Sequence, residues 1–397
     1  MKKALFAIML MIGTSLVTAA QYFDVDGISY AIINDDEVKV EISNYSGNVI
    51  IPETVANEGK IYRVTAIADR AFKNCYSLTN VSIPNSVKSI GDEAFYYCSG
   101  LTGVTIPNSV ESMGTYAFFY CENLATVTIG NGLTEIKDNA FFKCYGLNHL
   151  TIGESVTKIG KMAFFSCGSL KNLVIPNSVV TIEREAFEGC SGLTEVILSD
   201  KMETIEFGTF MNCTSLENIN FPKSLVKIEA NAFQKCNFRT LVLPNTLKEI
   251  WDNAFEECFS LTSLTIPASI TDIRTYAFLD CINLETIRSY IVNPDDVYVE
   301  SYAFMEVPTS TCVLYVPKGS LAAYKNHYIW REFTHIVEME DGLKGDVNGD
   351  GEVNIADINA VIDMILSGNS DMRGDVNLDH EVNIADINAV IDIILNN

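Results

Sequence analysis

Residues 345–366 read GDVNGDGEVNIADINAVIDMIL and residues 374–395 read GDVNLDHEVNIADINAVIDIIL, identical at 19 of 22 positions. In the first copy Asp346, Asn348 and Asp350 place side-chain oxygens at alternate positions, Glu352 offers its carbonyl, Asn354 follows, and Asp357 closes at the twelfth position. Oxygen donors at that spacing suit a hard divalent cation such as calcium, with Gly351 at the sharp bend. An apolar stretch of about nine residues follows each loop and predicts a short helix. No entering helix is visible before either loop. Residues 341–397 carry 12 acids and 2 bases, a charge of −10, so two such loops approach one another only when that charge is neutralised. A merely solvated acidic run has no reason to repeat Asn, Gly and Ile in register.

The whole chain has 397 residues, 51 acids and 27 bases, a net charge of −24. That balance disfavours nucleic acid and anionic membrane as partners, since both need clustered Lys or Arg. Hydrophobic residues make up 48%, enough to bury a core over most of the length. Other catalytic chemistry is absent from the pattern. The four histidines, His149, His327, His335 and His380, share no zinc spacing, and no nucleophile elbow or phosphate loop occurs. Glycoside hydrolysis needs two carboxylates in a cleft, whereas acids such as Glu93, Glu135, Glu203 and Glu257 sit mostly in turns and read as surface charge. The chain is not expected to be an enzyme.

The element that carries this tail is a repeat. Ten cysteines fall at 75, 98, 121, 144, 167, 190, 213, 236, 258 and 281, with Cys312 beyond; eight of the nine intervals are 23 residues and one is 22. A disulfide framework has no reason to be periodic. A stack of equivalent core positions does, and Cys packs as a small buried hydrophobe. The full unit is seen in Leu78, Val81, Ile83, Pro84, Ser86, Val87, Ile90, Ala94, Phe95 and Cys98. Alternating Val and Ile predict a short strand with one buried face, ended by Pro or Gly. Ser86 and its equivalents are placed to satisfy backbone groups in the bend. No unit buries its apolar side alone, so successive units must stack strand on strand into one parallel sheet of about 23 residues per rung.

The unit resembles the leucine-rich repeats of bacterial BspA-like surface proteins, over about residues 45–335. That resemblance implies a curved, right-handed solenoid, a surface location and recognition rather than catalysis. The duplicated loop-plus-helix tail, with EF-hand-type spacing and Asp at the twelfth position, resembles a type I dockerin. It implies a small all-α domain that folds with calcium and binds a cohesin-like scaffold module. Carried over by position, the first site is Asp346, Asn348, Asp350, Glu352, Asn354 and Asp357. The second is Asp375, Asn377, Asp379, Glu381, Asn383 and Asp386. His380 stands where Gly is expected and predicts a weaker second site, because its Cβ disfavours a left-handed backbone by on the order of 1 kcal/mol. The family's recognition positions become Ile355–Ala356 and Ile384–Ala385, where the common Ser or Thr is absent.

Met1-Lys2-Lys3, an apolar run to Val17 and Ala19-Ala20 read as a bacterial secretory signal, so the mature protein is expected to be exported, with no membrane insertion. The predicted organisation is a signal over 1–20, an N-terminal cap over 21–65, the solenoid with its C-terminal cap over 66–338, a linker over 339–344 and the tail over 345–397. Ser320 to Phe333 is expected to form a helix over the last rung. Two surfaces compete for a solenoid ligand, whether protein or glycan. One is the outward strand face from Ser82 to Thr265, with Val174 and Ile197 as its apolar centre. The other is the run Tyr96, Phe119, Phe142 and Phe165 on four consecutive rungs, favoured for a protein partner. Three functional readings stand: a calcium-docked recognition module, a free adhesin, and an accessory or spacer in an extracellular polysaccharide-degrading complex.

Overall fold

The computed structural model describes residues 21–339, 345–349, 352–367, 374–377 and 381–396. The expected signal (1–20) and most of the expected linker (340–344) lie outside these residues. Each repeat contributes two strands rather than one. The expected strand recurs as Gly103–Ile106, Thr126–Ile129 and His149–Thr151, paired parallel with Val104 beside Val127 beside Leu150. A second, two-residue strand recurs as Ser89–Ile90 and Ser112–Met113, then Glu135–Ile136 and Lys158–Ile159, again parallel. The single sheet expected from the sequence is therefore two ladders on two sides of one coil. Two residues hold no alternation, so the second ladder is invisible until the rungs stack.

Backbone bonding explains the rigid rung spacing. Most rungs hold two non-Gly residues in the left-handed region, for instance Glu93 (φ 55°) and Tyr97 (φ 58°), while Gly189 and Gly208 take one of the two places on two other rungs. Such non-Gly residues cost about 1–2 kcal/mol each. Their N–H groups bond the next rung, Glu93 to the Thr115 carbonyl at 2.9 Å and Tyr97 to Phe119 at 2.8 Å, and Phe95 between them donates to Ala117 at 2.7 Å. A buried N–H left unpaired costs about as much as the strained backbone, so the strain is offset rung by rung.

One continuous core fills the coil. Phenylalanines stack from Phe72 through Phe95, Phe118 and Phe141, with centroids 4.7–5.2 Å apart, and the column runs on to Phe304. All eleven cysteines are buried and unpaired. The thiols also donate hydrogen bonds, Cys98 to the Phe72 carbonyl at 3.0 Å and Cys121 to that of Phe95 at 3.2 Å. Burial pushes these thiols up, Cys144 and Cys190 to about 12. The serine that recurs at the bend meets the expectation on some rungs and not on others. Ser224 and Ser269 donate to carbonyls of the preceding rung at 2.7 and 2.6 Å. Ser86, Ser109 and Ser178 are buried hydroxyls with no hydrogen-bond partner.

The N-terminal cap comprises β1 (Tyr22–Val25), β2 (Ile28–Ile32), β3 (Glu37–Val40), β4 (Gly47–Ile50), β5 (Thr54–Asn57) and β6 (Lys60–Ile67), with β7 (Leu78–Ser82) opening the first full repeat. The order β1-β2-β3-β6 leads into the short-strand ladder, while β4 pairs with β7. At the other end the expected helix over 320–333 is broken. Helix α1 covers Leu321–Asn326, His327 is extended (ψ 137°), and a 3-10 turn covers Trp330–Glu332. Tyr324 and Trp330, six residues apart, would lie about 120° apart on one helix. The break buries both, with Trp330 centred 5.0 Å from Phe304.

Candidate functional site

The tail holds two helices, α2 (Ile355–Ser367) and α3 (Ile384–Asn396), of 13 residues each rather than about nine. The extra turn includes Leu366 and Leu395, which stay exposed. Val347 and Val376 from the loops and Val361 and Val390 from the helices form the buried centre of the tail, two from each copy. Duplication in sequence has become a paired core in space.

The twelfth loop positions are the best-organised groups of the site. Asp357 is fully buried. Its Oδ1 accepts the N–H groups of Val347 (2.8 Å) and Asn348 (3.0 Å), and its Oδ2 accepts that of Asn354 (2.9 Å). Asp386 repeats this with Asn377 (3.0 Å) and Asn383 (2.9 Å), also fully buried. Asp346 Oδ1 accepts the Gly349 N–H at 2.8 Å and bends the loop start inward. Asn354 and Asn383 cap the helices, their Oδ1 atoms accepting from Ala356 (2.7 Å) and Ala385 (2.8 Å). This is ordinary N-cap chemistry for Asn. Glu352 and Glu381 have exposed side chains, consistent with a role through the carbonyl.

These residues fit a hard cation. Asp357 and Asp386 are fully buried carboxylates with no Lys or Arg beside them among the described tail residues. A carboxylate has about four acceptor sites, and the N–H bonds of Asp357 fill three of them, which leaves a lone pair on Oδ2. An uncompensated buried charge is costly. Asp350 and Asp379, assigned as fifth-position ligands, lie outside the described residues, as do Gly351 and His380. Ile355, Ala356, Ile384 and Ala385 are all exposed, Ile355 at 69% and Ile384 at 70%, at equivalent places on the first turns of the two helices. The tail touches the solenoid through Tyr290, whose hydroxyl donates to the Gly349 carbonyl at 2.8 Å, and through Lys223 with Asp363 at 3.3 Å.

The aromatic run on the solenoid forms a strip. Tyr96, Phe119, Phe142 and Phe165 are half-buried and stack with centroids 4.8, 4.8 and 4.7 Å apart, within 9° of parallel. Tyr97 and Tyr120 stack beside them at 4.7 Å. Cations rim the strip: the Lys73 ammonium lies 4.5 Å from the Tyr96 ring centre, and Lys143 bonds the Tyr120 hydroxyl at 3.1 Å. Neither lysine was singled out in the sequence; each stands 23 residues, one rung, from the tyrosine it meets, and Lys143 also directly follows Phe142, whose ring centre lies 5.3 Å from its ammonium. On the next rung Glu188 follows Phe165, and burial, aided by the charge of Glu185, pushes its carboxyl up to about 7. Ring faces are covered by neighbouring rings, so the strip presents edges. On the competing strand face Val174 is 60% exposed, but Thr265, expected to face outward, is buried.

Stacked rungs of this sequence define a leucine-rich repeat solenoid, and the chain belongs to the family described as BspA type leucine rich repeat region, whose model matches as 6 copies over residues 65–194 and 180–309. Its tail is a dockerin type I domain, matched over residues 344–395. Dockerin type I domains are calcium-binding modules, and both families are non-catalytic interaction modules. Similar solved structures include a leucine rich cell surface protein from Faecalibacterium prausnitzii (25% identity, 82% of this chain, 99% of that chain, TM-score 0.43). A leucine rich repeat protein of T. pallidum is 27% identical over 55% of this chain and 86% of that one, TM-score 0.38. One from Bacteroides ovatus is 23% identical over 80% and 100%, TM-score 0.41. No curated protein matches. Among the described residues no helix is long and apolar enough to cross a membrane.

Proposed function

We propose that this chain is an exported recognition protein held at a cell surface or in an extracellular assembly. The dockerin tail docks it, with calcium bound, to a cohesin-like module, and the solenoid presents the aromatic strip to a protein partner. The observation that carries this reading is the pairing, in both tail copies, of a buried Asp at the twelfth position with exposed Ile-Ala at the tenth and eleventh. A cation at each loop would neutralise Asp357 and Asp386, and the two helix starts would then offer equivalent apolar contacts. Ligands for the first ion would be Asp346, Asn348, Asp350, the Glu352 carbonyl, Asn354 and Asp357. For the second, they would be Asp375, Asn377, Asp379, the Glu381 carbonyl, Asn383 and Asp386, held more weakly on account of His380. On the solenoid, a protein partner is favoured over a glycan because sugars stack on ring faces, and here the faces are taken up by the stack.

The test is capture of the full mature chain by immobilised type I cohesin modules, with calcium and with chelator. Calcium-dependent capture, weakened by Ile355→Asp plus Ile384→Asp, supports the reading. Equal retention in chelator would sink it. Retention by a cell surface without any cohesin, unaffected by those substitutions, would instead favour a free adhesin.

A further inference from the structure

The N-terminal end of the solenoid leaves one of its two ladders open. The short-strand ladder is closed there by β3, β2 and β1 in succession. The long-strand ladder ends at β4, which pairs with β7 and with no other strand among the described residues. Gly47 donates to the Ser77 carbonyl at 2.8 Å and Ile51 to that of Ser82 at 3.1 Å. Peptide groups alternate in direction along a strand, so those of Asn48 and Ile50 point to the open side. Both residues are exposed, Ile50 at 64%. Unpaired edges of this kind are templates for another strand.

A groove of about 690 Å³ runs along this edge. Its floor includes Ile28, Tyr30, Val49 and Val55, all buried, and its rim carries Asp26 at the tip of the β1–β2 turn. Four residues of strand at about 3.3 Å each give roughly 13 Å of edge. The cap around it is acidic: residues 21–67, from β1 to β6, hold eight Asp or Glu and three bases, Lys39, Lys60 and Arg63, of which Lys39 is paired with Glu41 at 2.8 Å. Eight acids less three bases is −5. Two copies meeting edge to edge would bring −5 against −5, which disfavours self-pairing.

We infer that the β4 edge is a binding site for an extended, Lys- or Arg-bearing polypeptide segment of a partner protein, which adds as a further strand to the long-strand ladder. Main-chain bonds to Asn48 and Ile50 supply register, alternate apolar side chains enter the groove, and basic side chains meet Asp26 and the acidic cap. This site is separate from the aromatic strip and from the tail.

The experiment uses the full mature chain and a labelled peptide, Val-Lys-Val-Lys-Val-Lys, followed by fluorescence anisotropy at low and high salt. Saturable binding is expected, at least tenfold weaker for the same peptide with alternate amides N-methylated and for its Val-Glu counterpart. Ile50→Pro removes an outward N–H and leaves the bonds to β7 in place; it is expected to weaken binding at least tenfold. Asp26→Lys, which alters charge alone, is expected to weaken it several-fold and serves as the test should Ile50→Pro melt abnormally. No saturable binding, equal affinity for the N-methylated peptide, or no effect of either variant overturns the site. So does a concentration-dependent dimer abolished by Ile50→Pro, which would make a second copy the occupant.

Discussion

Removing the Asp357 carboxylate strands three backbone donors at once. Its oxygens accept from Val347, Asn348 and Asn354 at 2.8, 3.0 and 2.9 Å inside a fully buried site. A hydrogen bond to a charged acceptor contributes about 1.5–3 kcal/mol, and an unpaired buried donor costs about 1–3 kcal/mol. Asp357→Ala is therefore expected to cost the tail on the order of 3–9 kcal/mol. A unit of about 50 residues has only about 3–8 kcal/mol in total, so the tail should unfold while the solenoid stays intact. Asp363→Ala, at an exposed position of the same helix, should change almost nothing, because its ion pair with Lys223 is a surface one. Asp357→Asn should fall between, since one amide oxygen can still accept from Val347 and Asn348. Hydrogen exchange read by mass spectrometry on the full chain separates these cases. The peptide over 355–367 should lose protection in Asp357→Ala, that over 384–396 should follow because the two helices share one core, and repeat peptides serve as the internal control. Full protection of 355–367 in Asp357→Ala would refute the claim that this buried carboxylate organises the loop.

Three further outcomes are expected. Chelator should abolish protection of both tail helices and leave the repeats unchanged, which the same exchange measurement reads; a protected tail in chelator would contradict the calcium dependence. The native chain should consume almost no Ellman's reagent at pH 8, and eleven thiols should titrate after denaturation, because burial both shields them and pushes them up. The Glu188 carboxyl, raised from 4.5 to about 7, binds its proton more tightly in the folded state. Its stabilising contribution is thus complete below about pH 4.5 and lost as the pH rises through about 7. Screening at this half-exposed group holds the effect to about 1 kcal/mol, so Glu188→Gln should melt like the parent at pH 4.5 and a few degrees higher at pH 8; an equal melt at pH 8 would count against the shift.

Much of this protein is legible in the order of its residues. The 23-residue spacing of the cysteines and of Ala-Phe determined a stacked coil with free buried thiols, since only equivalent positions in a lattice of rungs make such a period useful. The duplicated loop determined a paired, calcium-type tail, because its donors are local in sequence. What spacing does not carry is anything made between rungs. The second ladder rests on two-residue strands with no pattern of their own. The hydroxyls of Ser86, Ser109 and Ser178 have no partner, whereas those of Ser224 and Ser269 bond carbonyls of the preceding rung, although all five stand at the same place in the repeat. The break at His327 follows from where Tyr324 and Trp330 must both be buried. The tertiary structure alone decided that the aromatic strip shows edges rather than faces, that Lys73 and Lys143 rim it, and that β4 keeps one side open. Each depends on which groups meet at about 5 Å across a rung boundary, a distance that 23 residues of intervening chain conceal.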